Sequence, residues 1–310
     1  MATVAARATP AKRLENLSER SGFLASCLIA PAVLFILAVV GTALVLAVKL
    51  SFTDATAGSL SGEWVGVRNF QDLIHSGPFH DVLWHTFLFT AISQVIVVVL
   101  AGVLAHALVR SFRGRWLLRF MILLPWAAPV ALTTIAFLWF FDPLASIWNW
   151  FLIHGFHIYT DNNKPNWLGT PRLAMSSIIA VHVWRLLPFA TIIFIAGIAS
   201  MPQEVDDAAA IDGATGLKKF WYVSLPLQLP IAIVAVLFGV VFTATDIAVV
   251  QILTNGGPFN STEVLTTYAY HTGIEGAALG EGAAISLFLL PVLAFVAIGM
   301  LVFARKAEVT

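Results

Sequence analysis

Six long apolar runs, at 23–48, 82–109, 117–141, 173–199, 227–253 and 283–303, constrain this chain more than any other feature. Crossing about 30 Å of hydrocarbon takes about 20 residues at 1.5 Å of rise each, and every run is that long. Inside a bilayer the backbone must satisfy its own hydrogen bonds, so continuous apolar runs imply helices. Barrel strands would show short segments of alternating hydrophobicity instead. Composition points the same way: 59% of the residues are hydrophobic and 11% charged, against roughly 45–50% and about 25% in a soluble domain. So few charges cannot coat a water-soluble particle of 310 residues. The formal net charge is zero, which gives no pointer to nucleic acid. A single cysteine, Cys27, excludes a disulfide within the chain and reads as a small lipid- or helix-facing residue. The first run is too long for a signal-peptide core, lacks a small-residue cleavage site and ends at Lys49, so it reads as a retained span.

Basic residues orient the spans. With the N-terminus inside, the inner segments hold Arg7, Lys12, Arg13, Arg20, Arg110, Arg113, Arg115, Arg119, Lys218, Lys219, Arg305 and Lys306. The outer segments hold only Lys49, Arg68, Lys164 and Arg172. That asymmetry puts both termini in the cytoplasm, in agreement with an even number of spans. The organisation expected is a polar segment at 1–22, a membrane domain at 23–303 and a short tail at 304–310. The outer loops, 49–81, 142–172 and 254–282, are too short for a soluble domain. Trp64, Trp148, Trp150 and Trp167 are placed at the outer interface, where an indole keeps its ring in lipid and its N–H in water.

The inner loop at 200–226 carries the functional signal. Pro202 suits a helix start, and Glu204, Asp206 and Asp207 place anions near its positive end. Ala208, Ala209 and Ala210 propagate the helix, and Asp212-Gly213 stops it, because glycine takes positive φ readily. Gly216 to Tyr222 then makes a second short amphipathic helix, with Phe220 and Trp221 as exposed aromatics and Pro226 marking the next span. A mere connector needs no such helix–turn–helix; a docking surface for a cytoplasmic partner does.

Asp207-Ala208-Ala209, Asp212-Gly213-Ala214, Phe220 and Leu225-Pro226 together resemble the EAA coupling motif of ABC importer permeases. Asp207 replaces the usual glutamate, which keeps the charge but shortens its reach by one methylene. The resemblance extends over about 280 residues. Leu124-Pro125-Trp126, Asp142-Pro143, Trp184-Arg185-Leu186-Leu187-Pro188-Phe189 and Leu253-Thr254-Asn255-Gly256-Gly257-Pro258 with Thr262-Glu263-Val264-Leu265 are similar to carbohydrate permeases of the maltose and glycerol-phosphate type. The resemblance implies an all-α membrane fold of the type I importer kind with six transmembrane helices in a bacterial or archaeal plasma membrane. It further implies a heterodimer with a second permease subunit, two ATP-binding subunits below, an extracellular solute-binding protein above, and a sugar-like solute. Glu204, Asp207, Ala208, Ala209, Asp212, Gly213, Ala214 and Phe220 are then the residues that contact the ATPase.

Two charges fall near the middle of apolar runs, Arg185 and Asp246, away from the ends where a long side chain can reach water. An intramembrane charge costs several kcal/mol unless it has a partner or a polar cavity, so the two are expected to pair, either lining the solute pathway or fixing two spans together. A sugar has apolar faces and a hydroxyl rim, and Trp139, Trp184, Arg185, Asp246 and Gln251 are candidates for meeting both. Gln94, Thr243 and Thr245 are expected in interhelical hydrogen bonds. The eight histidines form no ligand cluster in sequence, His154 and His157 being the nearest pair, and no metal site is expected. Gly213 to Lys218 lacks the spacing of a phosphate loop and a preceding strand, so no cofactor is assigned to this chain; ATP and Mg²⁺ belong to the partner ATPases. No nucleophile–base constellation is present, which argues against an enzyme. The competing class is an ion-coupled secondary transporter, for which Asp246 is the one strong carboxylate and the loop at 200–226 has no role.

Overall fold

A computed structural model describes residues 21–59, 62–214 and 216–309. The basic residues Arg7, Lys12, Arg13 and Arg20 lie outside the described residues. Among those described, the architecture is helical, with only isolated bridges (Thr53 to Trp64, Thr56 to Ser59) in the loop after residue 51. The chain runs through α1 (Ser21–Ile36), a π-turn (Leu37–Gly41), α2 (Thr42–Ser51), α3 (Arg68–His75), α4 (Gly77–Val109), α5 (Arg115–Ala127), α6 (Val130–Phe140) and α7 (Ile147–Trp150). It continues with α8 (Pro171–Ala199), α9 (Gln203–Ile211), α10 (Gly216–Lys219), α11 (Leu225–Ala244), α12 (Ala248–Leu253), α13 (Leu265–Tyr270) and α14 (Leu279–Val309).

Five helical segments are long and apolar enough to span a membrane: Ala25–Ser51, Gly77–Val109, Pro171–Ala199, Phe220–Ala244 and Leu279–Ala304. The third apolar run departs from the single span expected at 117–141. It folds as α5 and α6, bent by 98° to each other. The cause is local: Ala128 precedes Pro129, and a residue before proline is driven out of the helical region. Ala128 adopts φ −76°, ψ 142° and Pro129 φ −58°, ψ 121°, which ends one helix and starts the next. Counted as one broken span, the pair brings the total to six.

The fifth run also departs from the single span expected at 227–253. There α11 stops at Ala244 and α12 begins at Ala248. Thr243 and Thr245 turn their hydroxyls back to the carbonyls of Gly239 and Val241, both at 2.7 Å. Such back-bonding loosens the helix there. Asp246 sits in the gap, and its Oδ1 accepts the Val249 N–H at 3.1 Å, capping the first turn of α12. The second and sixth helices run beyond the ranges expected of them, starting at Gly77 and ending at Val309.

The packed centre consists of α4 along α8, with α11 against both. Lipid tails are as apolar as leucine, so association inside a bilayer relies on close packing and polar contacts between helices rather than on apolar burial. Ala101 and Ala105 on α4 are fully buried, with Phe89, Ile178 and Leu186 filling the seam. A second buried group joins α3, α4, α13 and α14, through Leu73, Phe79, Leu265 and Ile285. The first and last spans are the least enclosed: none of the apolar window of either is buried, and α2 leans on α14.

Candidate functional site

The break in the fifth span delivers Asp246 to α8. Its Oδ2 accepts from His182 Nδ1 at 2.9 Å and from the Arg185 guanidinium. Because an ionised carboxylate only accepts, the His182 proton is assigned to Nδ1. His182 Nε2 lies 2.9 Å from the Thr243 hydroxyl. That hydroxyl, whose single proton is shared between this ring nitrogen and the Gly239 carbonyl, accepts from Gln94 Nε2 at 2.7 Å, so α4 joins the same cluster. Thr266 donates its hydroxyl to the Asp246 carbonyl at 3.0 Å and ties in α13. The result is one polar cluster in the bundle, linking α4, α8, the α11–α12 break and α13. His182 is fully enclosed, with the Phe89 ring edge-on at 5.1 Å.

Gln94 fits because residue 239 is glycine. A Cβ there would stand 2.1 Å from Gln94 Oε1, so any side chain would displace the amide from between the helices. The Asp246 carboxylate is closed to a solute, with 2% of its side chain exposed and both oxygens occupied. Arg185 exposes 22% of its side chain, and its Nε has no hydrogen-bond partner. Of this ion pair, the part open to a ligand is therefore the exposed portion of the Arg185 side chain, its Nε being buried.

One turn from Arg185 on α8 lies Phe189, and one turn before Asp246 lies Phe242. Their rings are 5.4 Å apart, and Trp126, at the end of α5, stacks on Phe189 at 5.0 Å and lies 5.7 Å from Phe242. An aromatic wall thus adjoins the donor cluster. Of the aromatic candidates from sequence, Trp184 packs edge-on against Phe137 at 5.1 Å, while Trp139 is 79% exposed on α6 and joins neither group. Gln251 belongs elsewhere: its Nε2 donates to Asn255 Oδ1 at 2.6 Å. Trp126 and Phe189 enter the sequence reading only as motif residues, and His182 and Phe242 are not singled out by it. His182 stands three residues before Arg185, on the same helical face, and that spacing was the available signal.

Among the described residues, two histidines meet carboxylates. Besides His182, His271 donates from Nδ1 to Glu263 Oε1 at 2.7 Å, and its Nε2 lies 3.1 Å from Asn255 Oδ1. This group holds the 254–263 loop against the turn that follows α13. In the loop after α6, Asp142 Oδ1 accepts the N–H groups of Ala145 at 2.7 Å and Leu144 at 2.8 Å. Those two donors hold its carboxyl below the ordinary carboxylate value, Ala145 contributing most.

On the other side of the bundle, α9 ends as the sequence anticipates. Gly213 has φ +71°, the Ala214 N–H bonds the Ala209 carbonyl at 2.8 Å and the Gly213 N–H bonds the Ala210 carbonyl at 3.1 Å. This is the Schellman closure, and both Ala209 and Ala214 are buried. Glu204, Asp207, Ala208, Asp212 and Gly213 are exposed, and Ile211 presents 87% of its surface. Phe220 differs from expectation. It is half-buried, with its ring 5.1 Å from His106 on α4, and the exposed aromatics are Trp221 and Tyr222.

Residues 98–308 match the sequence family described as the inner membrane component of binding-protein-dependent transport systems. The chain is 31% identical to the trehalose/maltose transport system permease of Thermococcus litoralis, covering 72% of this chain and 74% of that protein. It is 30% identical to the diacetylchitobiose uptake system permease of Streptomyces coelicolor, covering 89% and 85%. It is 28% identical to the sn-glycerol-3-phosphate transport system permease of Agrobacterium fabrum, covering 76% and 78%. Among solved structures, a chain of a bacterial alginate ABC transporter in complex with an alginate-bound periplasmic protein superposes with a TM-score of 0.77. That match covers 92% of this chain and 94% of the other at 18% identity, and it shows the shared fold.

Proposed function

This chain belongs to the family of inner membrane components of binding-protein-dependent transport systems, and on that premise we propose that it is a permease subunit of an ATP-driven importer of a sugar or sugar-like solute. The observation that carries the solute reading is the donor cluster at Arg185 beside the aromatic wall of Trp126, Phe189 and Phe242. A pyranose lays its apolar face on an aromatic ring and turns its hydroxyls to fixed donors. Arg185 supplies donors, Asp246 and His182 hold Arg185 in place, and Gln94 with Thr243 ties that arrangement to α4. The relatives named for trehalose/maltose, diacetylchitobiose and glycerol phosphate support the solute class.

The chain has no catalytic role in this reading. A second permease completes the pathway, two ATPase subunits bind ATP and Mg²⁺, and an extracellular binding protein delivers the solute on the outer loops. Both termini lie in the cytoplasm. The exposed face of α9, with Glu204, Asp207, Ala208, Asp212 and Gly213, docks on an ATPase, while Ala209 and Ala214 close the turn behind it. Phe220 holds the loop against the bundle. Closure of the ATPases moves this loop, and the spans alternate between inward- and outward-facing arrangements.

Reversing the charges at Glu204 and Asp207 together, or replacing Gly213 with proline, is expected to abolish uptake while membrane insertion and span topology stay intact. Uptake is measured with a panel of radiolabelled disaccharides in cells carrying the whole operon. Parental uptake in either variant would overturn the docking assignment.

A further inference from the structure

The helix pair at 203–219 is joined by the chain to α8 on one side and to α11 on the other. It has no covalent link to α4, yet α4 meets structural features at all three levels of the molecule. At its cytoplasmic end, His106 lies in the last turn, with its ring 5.1 Å from Phe220 at an interplanar angle of 77°. In its middle, Gln94 Nε2 donates to Thr243 at 2.7 Å, within the polar cluster. Near its outer end, Thr86 Oγ1 accepts the Leu265 N–H at 2.9 Å, at the start of α13. Gln94 and His106 are twelve residues apart, or about 18 Å along a helix.

His106 is held in a defined orientation. Its Nδ1 donates to the Gly102 carbonyl at 2.8 Å, which leaves the lone pair on Nε2, a buried atom with no hydrogen-bond partner. The other side of the same helix end is closed by Arg119, donating to the Leu108 carbonyl at 3.0 Å, and by Arg115, donating to the Val109 carbonyl at 3.2 Å. A ring fixed in this way meets Phe220 as a stiff contact. Phe220 opens the π-turn Phe220–Ser224 that leads straight into α11, so displacement of the loop presses on His106.

We propose that α4 is the transmission element of this subunit, with His106 as the positioning residue at its input, acting through Phe220. Movement imposed on the loop reaches α4 at His106, passes to the polar cluster through Gln94 and to the outer face through Thr86. α4 is suited to the task because it is one unbroken helix of 33 residues, whereas α5–α6 and α11–α12 are interrupted. The inference rests on the docking of the loop to an ATPase given above.

The test uses the complete transporter reconstituted in nanodiscs, with Cys27 replaced by serine and Ile274→Cys as an outer reporter. Ile274 is 59% exposed in the turn after α13. The measured quantity is the rate of labelling by an impermeant maleimide, with and without ATP plus vanadate. The parent is expected to show a nucleotide-dependent change of about tenfold. His106→Ala is expected to lose that change while ATP hydrolysis continues at the parental rate. His106→Phe, which restores a ring edge against Phe220 without the imidazole bond to Gly102, is expected to recover it. His106→Ala with Phe220→Ala is expected to be no worse than either change alone, as for two residues acting through one contact. A parental response in His106→Ala, or additive losses in the double variant, would overturn the role of His106. The Glu204→Lys/Asp207→Lys variant separates the two readings: loss of the response there with retention in His106→Ala sinks only the α4 proposal. A retained response in the charge-reversed variant, or none in the parent, sinks the docking reading as well.

Discussion

Asp246 concentrates most of the residue-level physics of this protein. A carboxylate with 2% of its side chain exposed survives in a bundle because His182, Arg185 and the Val249 N–H occupy its oxygens. Replacing Asp246 with alanine leaves the Arg185 charge without its partner, and stability is expected to fall by about 3–5 kcal/mol. Replacing both Asp246 and Arg185 with leucine removes both charges and is expected to recover most of that loss without restoring uptake. Thermal melts in detergent measure the first quantity and disaccharide uptake the second. If the double leucine variant transports, the pair only fixes α8 to the α11–α12 break and takes no part in the pathway. The ion pair itself was readable in the sequence, because a charge within each of two apolar runs demands a partner. His182 was not, because the imidazole meets a carboxylate 64 residues away, and nothing local separates it from a histidine packed among apolar neighbours.

Among the elements, the interruptions matter more than the helices. Pro129 sets the 98° bend of the third span through its effect on Ala128, and it thereby carries Trp126 to Phe189 and Phe242. The break after Ala244 places Asp246 outside regular helix, free to cap α12 and to face α8. Past α6, Asp142 organises the outer turn by accepting two N–H groups, and its carboxyl is held below the ordinary value of about 3.9. A depressed carboxyl contributes stability above the unfolded value and loses it as pH falls through the folded one. The turn at 142–145 is therefore expected to stay closed from neutral pH down to about pH 4 and to loosen only in stronger acid. Asp142→Ala is expected to be loose already at pH 7, with no acid transition. Hydrogen exchange at the amides of Leu144 and Ala145 reads both. Exchange in the parent that opens between pH 6 and pH 5 would show that the carboxylate is not the element closing this turn.

At the scale of the whole molecule, orientation is the property that assigns each face its partner. With Cys27 replaced by serine, Leu144→Cys and Ile211→Cys make a matched pair, since each parent residue is 87% exposed. An impermeant maleimide added to intact cells is expected to label the first at once and the second only after permeabilisation. The reverse pattern would place α9 outside and remove the basis for ATPase docking.

Much of this architecture is legible in the amino-acid sequence alone. Span length, the asymmetry of basic residues and the Asp212-Gly213 stop are local properties, each decided within about twenty residues by transfer of side chains to lipid or by backbone conformation. They determine that the chain crosses a membrane and that the loop at 200–226 is a capped helix pair, and they set the expectation of which side each loop faces. The composition of the site was decided elsewhere. Trp139 and Gln251 have the right chemistry for a sugar, but α6 turns the first outward and Asn255 engages the second. Trp126, Phe189 and Phe242 became the aromatic wall because one proline bends the third span toward α8 and α11. Only the tertiary structure could decide these, because they depend on which faces of distant helices meet, and helical periodicity leaves that choice open wherever nearly every face is apolar.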